Sequence, residues 1–126
     1  MKILNIVETA YRATLEEQDD TVLWLSHALK GAGADIDILL QGNAVNYAVV
    51  GQDPNGLRIG AYKQSQPPDI PGDLVKFVEK GSKAYIVLED LEKRGIRSGS
   101  IIHGLDPVQR SDLSSYLHEY DQVWYW

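Results

Sequence analysis

The sequence has 126 residues, 44% of them hydrophobic and 24% charged, with a net charge of −6. That length favours one domain, able to bury roughly two-thirds of the surface its unfolded chain exposes. The acidic balance repels phosphate backbones and excludes nucleic acid as an expected partner, and no run reaches the ~18 apolar residues that would span a membrane.

Met1-Lys2-Ile3-Leu4-Asn5 leads into a strand-like segment without the charged and apolar regions of a signal peptide, so the expected location is cytoplasmic. There is no cysteine. Disulfides, thiolate metal sites, thiol nucleophiles and persulfide carriers are therefore all excluded. His27, His103 and His118 lie far apart in the sequence, with no pair at metal-ligand spacing. No cofactor motif is present, so none is expected.

Residues 3–7 are short, apolar and β-branched, which predicts a buried strand. A polar stretch runs from Glu8 to Asp20, and Asp19 and Asp20 can cap a helix. In that helix Val22, Leu25, Leu29 and Ala32 form one apolar face, widened by Trp24 and Ala28, while Ser26-His27 lies on the surface. Gly31 and Gly33 suit its end. Ile36 to Leu40 predict a second strand, broken by Gly42-Asn43, and residues 44–50 a short helix.

Residues 51–72 are rich in glycine and proline, a long loop in which Leu57, Ile59 and Tyr62 alternate like a hairpin arm. A helix over Asp73–Lys80 follows, with Leu74, Phe77 and Val78 on one side and Gly81 past its end. Residues 84–88 predict a third strand, Leu91 to Gly95 a short turn or helix, and Ile101-Ile102 a fourth strand. Ser111 can cap a last helix with Leu113 and Leu117 inward, and residues 123–126 predict a closing strand. The alternation argues an α/β domain of three α/β/α layers, around a mostly parallel five-stranded sheet of flavodoxin-like type.

Four elements in this order carry a resemblance. They are the polar loop and helix after the first strand; Leu40-Gln41-Gly42-Asn43-Ala44-Val45; Gly81 to Val87 leading to Arg94-Gly95-Ile96; and Gly104, a Leu-rich helix and Asp121 before an aromatic strand. The chain resembles the DsrE/DsrF-like sulfur-relay family, with its TusB, TusC and TusD type subunits. The resemblance implies the α/β/α fold and assembly into trimers or hexamers, with copies of itself or with a cysteine-bearing relative. It places the family's cysteine at Val87, and a second, present in some relatives, at Asp90. Neither side chain can hold a persulfide. The expected role is that of a non-catalytic subunit or binding protein, not a cysteine-dependent sulfurtransferase.

Parallel sheets bind ligands beyond the carboxyl ends of their strands. Those ends carry Glu8 and Thr9, Gln41 and Asn43, Glu89 and Asp90, and His103. Glu8, Thr9, Gln41, Asn43, Val87, Asp90 and Arg94 make a candidate pocket, and the carboxylates at these ends could hold Mg²⁺ or act as a general base. The alternative function is thus a small-molecule or metal-binding domain, an enzyme among the options. The bland reading is that these acids cap helices and solvate loops, and that Arg94 is a helix-end cation. A phospho-acceptor site would want a lysine after the last strand, where this sequence has Trp124-Tyr125-Trp126. Tyr47, Tyr62, Trp124 and Trp126 are candidate interface residues, because so apolar a terminal strand invites association.

Overall fold

The computed structural model describes residues 1–11, 19–52 and 56–126. Part of the expected polar stretch after the first strand, and Pro54 of the Gly/Pro-rich loop, lie outside the described residues.

Strand β1 (Lys2–Val7) is an inner strand of the main sheet, and Ile3, Leu4, Ile6 and Val7 are all buried. A strand covered on both faces needs apolar side chains at successive positions rather than alternation, and this one has them. The exception is Asn5, also fully buried. Helix α1 (Thr21–Gly31) follows, then β2 (Asp35–Leu40) in register beside β1, Lys2 opposite Asp35 and Val7 opposite Leu40. A 3₁₀ segment, Gly42–Ala48, leads to a small hairpin of β3 (Arg58–Ile59) and β4 (Tyr62–Lys63). Helix α2 (Ile70–Glu79) and β5 (Ala84–Val87) come next, then the short α3 (Leu88–Lys93), β6 (Asp106–Val108), α4 (Leu113–Leu117) and β7 (Gln122–Tyr125). The main sheet is ordered β6-β5-β2-β1-β7, and every pairing in it is parallel. The α/β architecture is the one the sequence implies.

Two apolar clusters cover the two faces of this sheet. One joins Ile3, Val7, Ile36, Ile38 and Leu40 to Val22 and Leu23 of α1, Tyr47 of the 3₁₀ segment, and Leu74 and Phe77 of α2. The other joins Leu4, Ile6, Leu39, Tyr85 and Val87 to Val108 and Tyr120, with Leu113 and Leu117 of α4 packed against it. Burying each such large side chain is worth about 1.5–3 kcal/mol.

Several expectations need correction. Ile101-Ile102 is not a strand of the sheet. Ile101 forms a single antiparallel bridge with Val49, and both isoleucines pack against the first cluster. The fourth main-sheet strand is β6, a three-residue edge whose Pro107 removes one ladder donor and hid it from a propensity reading. The apolar face of α1 is rotated: Val22, Leu23 and Ser26 are buried, whereas Trp24, Ala28 and Ala32 are exposed. Ser26 is drawn inward because its hydroxyl accepts a 2.8 Å bond from Asn5 Nδ2 and donates to the Val22 carbonyl. Helix α2 begins three residues before the expected Asp73, capped by Asp69 with Pro71 in its first turn. Ser111 does not cap α4; Asp112 stands at its N-terminus.

Candidate functional site

The carboxyl ends of the parallel strands converge on one rim of the sheet, and the chain returns there at Gly42. Its φ is 54°, in the left-handed region, and a Cβ would stand 2.8 Å from Glu8 Cγ. A larger residue meets both penalties, so glycine is what the turn allows. The freed Gly42 N–H donates 2.7 Å to Asp90 Oδ2.

Asp90 is the hub of the rim. It is only 4% exposed. Its Oδ1 accepts from Arg110 Nη2 at 2.5 Å, with Arg94 Nη1 4.0 Å away. Arg94 C-caps α3 and donates from Nε and Nη2 to Asn43 Oδ1, at 3.2 and 2.8 Å, and from Nη1 to the Asp90 carbonyl. Glu89 accepts from the Arg110 backbone N–H with both carboxylate oxygens. Burial pushes the Asp90 carboxyl up, but the Gly42 N–H and the Arg110 and Arg94 charges outweigh it and hold the group below the usual carboxylate range.

Of the expected pocket residues, Asn43, Asp90 and Arg94 meet in this network. Gln41 is joined to the last strand, its Nε2 lying 3.3 Å from Tyr125 Oη. Glu8 is half-buried against Gly42, and its carbonyl accepts from Ala44 N. Thr9 is exposed on the loop after β1. Val87 does not line an open pocket. It is fully buried in the second cluster, where β5 passes into α3. His103 leaves the site as well: with the fourth main-sheet strand at 106–108, the charged residue just past its carboxyl end is Arg110. That shift explains why the sequence reading missed Arg110, which makes the shortest contact to Asp90.

Among the interface candidates, Tyr47 is withdrawn. It is fully buried, its hydroxyl donates 2.5 Å to Asp20 Oδ2 and accepts from Tyr11 N at 2.7 Å, and its ring meets Tyr11 edge-on. Burial, then the Asp20 hydrogen bond, push its phenol far above the ordinary value. Asp20 Oδ1 meanwhile caps α1 through Val22 N and Leu23 N, so one carboxylate ties the loop, the helix and the 3₁₀ segment together. Trp124 is half-buried against the first cluster. Trp126 is 43% exposed, although its indole N–H donates 3.1 Å to Asn5 Oδ1. Tyr62 is 84% exposed.

A separate pocket of about 230 Å³ between α1 and α2 is lined by Asp19, Trp24, His27, Asp73, Lys76 and Lys80. His27 is committed to structure there, with Nε2 2.8 Å from the Asp73 carbonyl and Nδ1 3.2 Å from Lys80 Nζ. The first bond makes Nε2 the protonated nitrogen and Nδ1 the acceptor. Among the described residues no group of three His, Cys, Asp or Glu is placed to hold a metal ion, and no helix is long and apolar enough to cross a membrane.

Neither a scan against protein-family models nor a search of curated proteins finds a match. Solved structures do match. The ychN protein from E. coli superposes with a TM-score of 0.76 at 20% identity, covering 99% of this chain and 98% of that one. BT1422 from Bacteroides thetaiotaomicron, a conserved protein of unknown function, superposes at 0.69 with 16% identity, over 99% and 94%. MTH1491 from Methanobacterium thermoautotrophicum, also of unknown function, superposes at 0.56 with 15% identity, over 95% and 94%. At such identities the likeness is one of fold, and it supports the DsrE-like fold that the sequence layout implies.

Proposed function

We propose that this protein is a non-catalytic subunit or binding protein of the sulfur-relay type. It works in the cytoplasm and assembles with itself as a trimer or hexamer, or with a cysteine-bearing relative. One observation carries the reading. At the rim where sulfur-carrying relatives are expected to present a thiol, Val87 is sealed in the core and Asp90 is bound by Gly42, Arg110 and Arg94. Sulfur relay requires a thiolate that attacks, accepts a sulfane sulfur and releases it. Here the same place holds a salt-bridged carboxylate with no vacant nucleophilic position.

The same commitments weigh against a small-molecule or metal site on this rim. Arg94 is bonded to Asn43, and Arg110 to both Glu89 and Asp90, so a ligand would have to break charge-assisted bonds to enter. The test is a sulfurtransferase assay on the purified chain with thiosulfate and with a persulfide donor, beside native co-purification. No turnover by the isolated chain, together with an oligomer or a captured cysteine-bearing relative, is expected. Sulfur transfer by the chain alone would overturn the proposal.

A further inference from the structure

Two exposed apolar surfaces of opposite charge face water on one chain. The first is the β3–β4 hairpin. Arg58 pairs with Lys63 and Ile59 with Tyr62, and Gly60, with φ 61°, supplies the left-handed residue a two-residue loop needs. Gln64 locks the base: its N–H donates to the Leu57 carbonyl, and its Oε1 accepts from Leu57 N. The cross-strand pair at the tip is nonetheless open to solvent, Ile59 at 75% and Tyr62 at 84%. A two-stranded hairpin alone in water is marginally stable, and an apolar pair at its tip gains its worth only when covered. Arg58 and Lys63 are the only charged residues between positions 54 and 68, so the arm is basic on a chain of net charge −6.

The second surface is the outer edge of β7. Val123, Tyr125 and Trp126 are exposed there, at 42%, 60% and 43%. Among the described residues the strand is an edge with nothing paired on its far side, and it contains no charge and no proline. The opposite edge, β6, carries Asp106 and Pro107, which discourage strand addition. From Ser111 to Trp126 every Asp, Glu, Lys or Arg is acidic: Asp112, Glu119 and Asp121. The unguarded edge therefore lies in an acidic segment.

We propose that the β3–β4 hairpin is an assembly arm that docks along β7 of a second copy of this chain. Ile59 and Tyr62 cover Val123 and Tyr125, while Arg58 and Lys63 meet the acidic segment that holds the strand. Charge complementarity selects this pairing. A two-fold contact of β7 with β7 would bring two acidic segments together, and arm against arm two basic ones. Because arm and edge are different surfaces, the contact is head-to-tail, the kind that closes a ring or extends a filament. The inference deepens the subunit reading by naming the surfaces that join copies.

The test is a charge swap followed by sedimentation velocity over a concentration series. The arm variant Arg58→Glu/Lys63→Glu and the edge variant Gln122→Lys/Val123→Lys change exposed side chains, and circular dichroism confirms the fold of each. Wild type is expected to self-associate. Each variant alone should need at least about tenfold higher concentration to do so. The equimolar mixture should regain association at wild-type concentrations, in assemblies that alternate the two variants, because each altered arm then meets an altered edge. A monomeric wild type, an arm variant that associates as wild type does, or a mixture that stays dissociated overturns the proposal. The subunit reading fails separately. A monomer that still captures a cysteine-bearing relative sinks only the arm, and sulfur transfer by the isolated chain sinks only the subunit role.

Discussion

Replacing Asp90 with alanine removes the one carboxylate that satisfies Gly42 N–H and draws Arg110 and Arg94 onto the rim. A lost charge-assisted bond that leaves a half-buried N–H without a partner costs about 1.5–3 kcal/mol. Breaking a fully buried ion pair costs about 3–5 kcal/mol, but the arginine side chains are 47% and 27% exposed and regain water. The net loss is therefore set at about 2–3 kcal/mol at pH 7, with no change in the denaturant slope. For a domain of this size that moves the urea midpoint down by about 1–2 M. The loss also has a pH signature. The folded-state value of Asp90 lies below its unfolded one, so the stability it contributes is complete above the unfolded value near pH 4. It disappears as the pH falls through the depressed folded value. Wild type and Asp90→Ala should accordingly converge in acid. A difference below about 0.5 kcal/mol at pH 7, or one that persists unchanged in acid, would refute the hub assignment.

Four further outcomes are expected. Burial raises the Tyr47 and Tyr120 phenols, helped by Asp20 in one case and by Tyr85 and Asp37 in the other, so their stabilising contribution is complete below about pH 10 and lost as the pH rises through the raised values. An alkaline titration followed by tyrosine absorbance should show these phenols ionising together with unfolding, and Tyr47→Phe should cost about 1–3 kcal/mol by stranding Tyr11 N–H and Asp20. Asn5→Ala should cost about 1–3 kcal/mol and red-shift the emission of Trp126, whose indole loses its acceptor; an unchanged spectrum would contradict that bond. Val87→Cys should cost about 1 kcal/mol and give a thiol that reacts with a thiol reagent only at the rate of local opening, whereas immediate reaction would show that position 87 reaches solvent.

The central strands were legible because runs that are apolar at nearly every position, Ile3 to Val7 and Ile36 to Leu40 with only Asn5 and Asp37 polar, have few alternatives to a doubly covered parallel sheet. Helix α1 was legible in place but not in orientation. Its inward face is set by the hydrogen bond from Asn5 to Ser26, a tertiary contact that hydrophobic periodicity does not register. Strand β6 was hidden for a similar reason. A three-residue edge containing proline carries almost no propensity signal, while Ile101 and Ile102 look like strand and instead pack at a loop. That error ended the strand at residue 102 instead of 108, and so put His103 forward in place of Arg110. Asp90 was found because strand ends follow from the alternation pattern. Its pairing with a residue 20 positions away required the register of β6 on β5.

The last strand of the sheet lies beside the first. Lys2 N donates to Asp121 Oδ2 across 119 positions of sequence, and β1 is flanked by β2 on one side and β7 on the other. A chain made from its N-terminus can pair β1 with β2 as soon as residue 40 emerges, yet the other edge of β1 stays open for some eighty residues more. Closing it is a long-range loop closure, entropically costly and slow compared with the local pairing that precedes it. Until then Ile3, Leu4 and Ile6 border an unpaired parallel edge, the kind of surface that chaperones and aggregation both recognise. The aromatic run that finishes the sheet is therefore also the element that ends its exposure during synthesis.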